Sequence, residues 1–255
     1  MNDIIEQYYL NNNYPNADKL HKKIKNIYIN IPLSHIKEWM KLKQVEQIMK
    51  PVNNKTTGHI VAFKENEFWN IDIFDLSKYY KYNKGYKYIY CAIDIFTNKV
   101  YCIAMKNKDN NNVLNAIENI ITNNNRPIMI ISDSDTTFLS KNIEEFFDNN
   151  NIIYNVVAIG DQHSLGIIDR FALTLKRILT KQREINKSSN WIDTIDKVIR
   201  IYNNTEHRSL NDLSPDEASQ KHNKNVIVKL NIEKSKSNKI ESDLSIGDKV
   251  RILDK

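Results

Sequence analysis

Along the first fifty residues the apolar positions recur at roughly helical intervals, and from residue 68 they alternate instead. The stretches 19–28 and 33–50, joined by a short segment holding Pro32, therefore predict two helices within a helical region 1–50. Ser34 stands where it could cap the second, with Glu38 one position beyond the ideal capping-box place. Residues 51–58 (PVNNKTTG) have linker composition. Strands are then expected at 68–76, 86–96 and 100–105, the last two joined by a tight Thr97-Asn98 turn, as a three-stranded meander. Helical spacing resumes over 111–122 through Val113, Leu114, Ile117, Ile120 and Ile121, and Pro127 ends the connection. The wholly apolar run 128–131 reads as a buried parallel strand. A helix follows at 139–149, a short strand at 152–157, and a long amphipathic helix from 165 to about 183. One more helix is expected at 191–202, and Ser214-Pro215-Asp216-Glu217 carries a capping box with Pro at the first helical position.

This order predicts an α/β fold, a mixed sheet flanked by helices, with a small N-terminal helical appendage. It is the order of a ribonuclease H-like domain, which other α/β proteins share. The expected organisation is a helical region 1–50, a linker 51–63, a core 64–220, a second linker 221–243 and the start of a C-terminal β element at 244–255. A single strand cannot fold alone, so that element either docks elsewhere or belongs to a domain cut short. The two N-terminal helices suit a helix-turn-helix, and equally a packing appendage.

Composition narrows the picture. Thirty-seven basic residues against 31 acidic ones, a net charge of +6, favour an anionic partner. The only cysteines, Cys91 and Cys102, lie in expected strands; they argue for a reducing compartment and against a disulfide framework or a structural zinc site. No stretch has the length of a membrane span or the core of a signal peptide, so a soluble, intracellular protein without membrane contacts is expected.

Three acids stand at costly places. Asp72 lies mid-strand among apolar neighbours, Asp133 directly follows the buried run 128–131, and Asp169 sits in the first turn of the long helix after Gly166, which would permit close approach. Each has a bland alternative: a strand-end acid, a turn former in Ser132-Asp133-Ser134-Asp135, and a favourable helix N-terminal charge. Asp75 and Asp94 compete for the first role; Asp94, next to the hairpin turn, reads as structural. Converging carboxylates repel one another, and hard divalent cations relieve that repulsion. A pair of such ions about 3.5–4 Å apart suits phosphoryl transfer.

Together these blocks resemble the catalytic core of retroviral-type integrases, the D,D-35-E family, over roughly residues 64–220. Trp69-Asn70-Ile71-Asp72 resembles the family's Trp-x-x-Asp strand, and 132–138 its second block, usually Thr-Asp-x-Gly-x-x-Phe. Residues 161–170 resemble its third, and 35 residues separate Asp133 from Asp169, the family interval. The segment from Tyr202 to Pro215 resembles the family's post-catalytic stretch, and Ile168-Asp169-Arg170-Phe171 is most similar to integrases of Polinton/Maverick elements, virophages and large DNA viruses. The chain departs from the family in having Asp169 where retroviral proteins have Glu, Asp135 in place of the second block's Gly, Leu173 where a second lysine often stands, and no Cys in residues 1–50 for a zinc domain.

The resemblance implies a DNA integrase performing metal-dependent 3′-end processing and strand transfer, in a host nucleus or viral factory. Asp72, Asp133 and Asp169 would be catalytic and would hold two Mg²⁺ or Mn²⁺ ions. Lys176, two turns after Asp169, matches a family lysine that contacts DNA, and Arg170, Arg177, Lys181 and Arg183 extend positive charge along the same helix. Double-stranded DNA and a homo-oligomer are the implied partners. A cut-and-paste transposase, a nuclease of the same fold and an inactive DNA-binding remnant remain open alternatives.

Overall fold

The computed structural model describes residues 1–28, 30–43, 60–157 and 164–237. It opens with three helices: α1 (Asn2–Asn11), α2 (Ala17–Lys25) and α3 (Leu33–Lys41). The Asn16 side chain caps α2 by accepting from the Lys19 backbone N–H at 2.9 Å. At α3 the cap position falls on Pro32, and Ser34 is already inside the helix, so the capping role expected of Ser34 is not used.

β1 (Phe68–Asp75), β2 (Tyr88–Asp94) and β3 (Val100–Met105) form the expected antiparallel meander. After α4 (Asn110–Asn123), capped by Asp109, the chain enters β4 (Met129–Ser132), which runs parallel to β1. α5 (Lys141–Asn149) then leads to β5 (Ile153–Val156), parallel to β4. The sheet order among the described residues is β3-β2-β1-β4-β5. The chain continues through α6 (Gly166–Asn186), α7 (Ile195–Asn203), the short α8 (Pro215–Ala218) with its complete capping box, and α9 (Lys224–Ser237).

Strand alternation divides the core into two layers. Ile89, Cys91 and Ile93 of β2 face α6 and α7, whereas Tyr90 and Ala92 face α4 and α5. The N-terminal helices join the first layer: Ile5, Tyr9, Leu20, Ile24 and Ile36 are fully buried in one cluster with Phe171, Leu175 and Val198. Cys91 and Cys102 are cross-strand partners with Sγ atoms 2.7 Å apart, both free.

Two readings of the sequence change. The polar stretch 221–243, expected as a linker, carries α9 over most of its length. Specific contacts hold it: Ile227 is buried, Asn231 Nδ2 donates to the Ala62 carbonyl at 2.7 Å, and Lys224 pairs with Glu65 at 2.7 Å. The same contacts dock residues 60–65, so the end of the expected linker 51–63 is packed as well; residues 51–59 and the β element at 244–255 lie outside the described residues.

The second change is Lys181, expected on a basic helix face. It is 1% exposed, its Nζ donates to the Tyr9 hydroxyl at 3.2 Å and stands 5.4 Å from the Tyr9 ring centroid. Helical periodicity places it on α6, but α1 covers that side, so no phosphate can reach it. Asp94, by contrast, is structural as expected: it accepts from the Asn66 and Thr97 backbone N–H groups, both at 2.9 Å, and from the Thr97 hydroxyl at 2.6 Å. Burial pushes its carboxyl up to about 6 against those bonds.

Burial lowers the Lys181 ammonium to about 8 from an ordinary 10.5. Its folded-state pKa is therefore below its unfolded one, and the stability it contributes is complete above pH 10.5 and lost as pH falls through 8. Lys181→Met should accordingly raise stability at pH 7 by about 1–2 kcal/mol in urea unfolding. That gain over the wild type should disappear as pH approaches 10.5.

Candidate active site

Alternation along β1 turns Trp69, Ile71 and Ile73 toward α4 and α5, leaving Asn70, Asp72 and Phe74 on the α6 side. Phe74 packs there against Phe171, ring centroids 6.0 Å apart. β1 and β4 are parallel with Asn70 beside Ile131, the last pair of that ladder, and Asp72 and Asp133 each follow two residues later. Ser132, the last residue of β4, steadies this end: its Oγ donates to the Asp133 carbonyl at 2.7 Å and stands 2.7 Å from the Tyr154 hydroxyl. Asp169 arrives from the helix side. Asn70 Nδ2 donates to the Ser164 carbonyl at 3.1 Å, which pins the approach to α6 onto β1 two residues from Asp72. The β1–β4 ladder and this clamp lie beside the sheet end where the three acids feel one another's charge.

Their electrostatics record the proximity. Burial, then the charges of Asp133, Asp169 and Asp135, push the Asp72 carboxyl up to about 6, although the Ile73 N–H donates to its Oδ1 at 2.6 Å. Burial and then Asp133 also raise Asp169. Asp135, in the place of the family glycine, has its own counter-ion: burial opposes its charge, but hydrogen bonds from Lys108 and the Thr137 N–H hold it below the usual carboxylate range. No ion pair involves Asp72, Asp133 or Asp169 among the described residues.

A coupled carboxylate set of this kind has the donor chemistry for a hard divalent ion. Among the described residues, however, no three His, Cys, Asp or Glu side chains are arranged to hold one ion. The acids form an electrostatically coupled cluster rather than a closed ligand shell. Gly166 does not serve a close approach within the chain, since a methyl group there would meet nothing within 4 Å. The third block's first residues, Asp161 to His163, lie outside the described residues.

Seven-residue intervals sort the basic residues of α6 into two rows, because seven residues make nearly two turns. Lys176 and Arg183 continue the row of Asp169 and border a cavity of about 480 Å³ with Phe74, Tyr79 and Trp191. Arg183 donates to the Tyr79 hydroxyl at 2.5 Å. Arg170 and Arg177 form the other row and border a cavity of about 580 Å³ that also reaches Asp169. Sequence reasoning missed Asn70 and Lys108. A signal for Asn70 was present, a polar residue at an interior strand position; Lys108 lies in a loop and gave none.

Residues 63–161 match the integrase core domain family, a span that holds Asp72 and Asp133 and stops short of Asp169. An uncharacterized transposon-derived protein of Caenorhabditis elegans is 24% identical over 53% of this chain and 47% of its own length. The Gag-Pol polyprotein of Avian reticuloendotheliosis virus is 24% identical over 61% of this chain and 13% of its own. The chain thus spans half or less of these relatives. Among solved structures, a simian T-cell lymphotropic virus intasome in complex with a PP2A regulatory subunit superposes with TM-score 0.51 at 16% identity, covering 74% of this chain and 68% of that one. The HTLV-2 integrase catalytic core domain in complex with magnesium superposes with TM-score 0.50 at 18% identity, covering 64% of this chain and all of that one. The fold is that of the ribonuclease H-like integrase cores.

The Asn70 clamp has a measurable consequence. Asn70→Ala should lower unfolding free energy by about 1–2 kcal/mol, the net effect of a lost buried hydrogen bond and some packing, read from the urea midpoint.

Proposed function

We propose that this protein is a DNA integrase that trims the 3′ ends of a viral or mobile-element DNA and joins them to target DNA. One observation supports the reading: beside the β1–β4 ladder and the Asn70 clamp, Asp72 feels the charges of Asp133 and Asp169, which add to burial in raising its carboxyl. These three side chains would hold a pair of Mg²⁺ or Mn²⁺ ions. Bound metal supplies Lewis-acid activation of the attacking oxygen and charge relief at the leaving one.

The chain's own residues position the substrate. The row Lys176 and Arg183, the latter also paired with Glu184, and the row Arg170 and Arg177 border the two cavities, where they would neutralise backbone phosphates without reading sequence. Water is the nucleophile of the first displacement, and the freed 3′-hydroxyl that of the second. No covalent protein–DNA intermediate is needed, and pairs of DNA ends would be held by a homo-oligomer. The Ile-Asp-Arg-Phe wording at 168–171 supports placing the chain with integrases of Polinton/Maverick elements, virophages and large DNA viruses.

A second reading, a DNA-binding remnant without catalysis, is favoured by the absence of a closed ligand shell among the described residues. A cut-and-paste transposase differs from an integrase only in the products it leaves. Strand transfer with labelled duplex ends in Mg²⁺ separates these readings. Joined products are expected from the wild type, falling by about 100-fold or more in Asp133→Asn and Asp72→Asn, as loss of several kcal/mol of charge stabilisation requires. Equal product from wild type and variants would leave only the remnant; cleavage without joined strands would point to a nuclease.

A further inference from the structure

Cys91 and Cys102 are the only cysteines of the chain, and the sheet sets them face to face. Cys91 lies at the middle of β2 and is fully buried, whereas Cys102 is partly exposed on β3, the outer strand of the described sheet. Ladder alternation fixes how they meet. The Asp94 N–H donates to the Lys99 carbonyl at 2.9 Å, which makes these two a hydrogen-bonded pair. Bonded and non-bonded pairs alternate along antiparallel strands, so Cys91 and Cys102, three positions further on, form a non-bonded pair. At such pairs the Cα atoms stand about 4.5 Å apart and facing side chains come closest, within the span that a disulfide bridges. The two Sγ atoms accordingly meet at 2.7 Å.

The pair also adjoins the acidic end of the sheet. Asp72 of β1 is the cross-strand partner of Cys91, so Asp72, Cys91 and Cys102 form one row across three strands. Residues paired across strands share a face, here the face that α6 and α7 cover, where Cys91 packs in one cluster with Ile168, Phe171 and Val198.

We infer that Cys91 and Cys102 are a reversible thiol–disulfide site whose oxidant is a small soluble disulfide of the glutathione type. Cys102, the accessible thiol, attacks one sulfur of the oxidant as its thiolate; the oxidant's S–S bond breaks and one small thiol leaves. Cys91 then attacks the Cys102 sulfur, the mixed disulfide breaks, and the second small thiol leaves. Two protein thiols are oxidised, the soluble disulfide is reduced to two thiols, and the two protons lost by the cysteines end on them. The product ties β3 to the strand that flanks Asp72. The site rests on the placement of the two thiols and is independent of the DNA-joining reading.

The test equilibrates the full chain, folded or in urea, with mixtures of glutathione and its disulfide. Free thiols are then trapped with N-ethylmaleimide under denaturing conditions, and the species are resolved by intact mass. Folded protein should pass to a form two hydrogens lighter that takes up no maleimide and runs as a monomer on a non-reducing denaturing gel. The ratio of oxidised to reduced pair should be about tenfold or more higher in the folded arm, because the strands already hold the thiols together. Cys91→Ser should stop at a mixed disulfide on Cys102, and Cys102→Ser should take up no glutathione while folded. A folded chain that keeps both thiols, carries only mixed disulfides or links into covalent dimers would overturn the site. Equal ratios in the folded and urea arms would overturn it too, since the fold would then add nothing. The wild-type masses decide the question whether or not the serine variants fold.

Discussion

Carboxylates held close together at the edge of a low-dielectric sheet repel one another, and a fold that gathers them must hold them rigidly against that repulsion. Here the restraint comes from backbone. β1 pairs in parallel with β4 up to Asn70 and Ile131, and Asp72 and Asp133 follow just beyond that ladder. Asn70, on the same face as Asp72, ties down the approach to α6 and with it Asp169. Where a fourth charge intrudes, at Asp135, Lys108 answers it directly. The remaining three form no ion pair among the described residues, and burial together with the neighbouring carboxylates raises Asp72 and Asp169.

α6 connects this acidic end to everything else. One side buries Phe171, Leu175 and Ile178 in the core, and another meets α1 through Lys181 and Tyr9. The two outward rows, Lys176 with Arg183 and Arg170 with Arg177, open onto separate cavities. The N-terminal helices share a hydrophobic core with α6 and α7, so a cavity roofed by α2 and α9 sits against the same helix that carries Asp169.

Much of this was legible in the residues. The strands of the meander, the run that becomes β4, the capping box at Ser214 and the structural role of Asp94 follow from local rules of spacing, turn chemistry and capping. Lys181 shows where such rules stop. Its spacing on α6 is that of a basic stripe, and only the packing of α1, some 170 positions earlier in the chain, turns it inward. α9 escaped for a related reason. A helix with few buried side chains leaves almost no periodic trace, and its anchors, the Ala62 carbonyl and Glu65, are remote in sequence. Lys19 gave no hint either, since a lysine in a lysine-rich helix looks like solvated surface until a cavity is built against it.

The order of the sheet strands and the division of each strand into two faces were legible in the sequence itself, and the three acids stood out there as candidates. Backbone periodicity is local, and a carboxylate among apolar neighbours is visible in any short window. Which charged side chains are buried, which share a cavity and how near the acids stand were decided only by tertiary structure. Those outcomes depend on elements far apart in the chain, and burial, charge coupling and cavity shape belong to their packing rather than to any one of them.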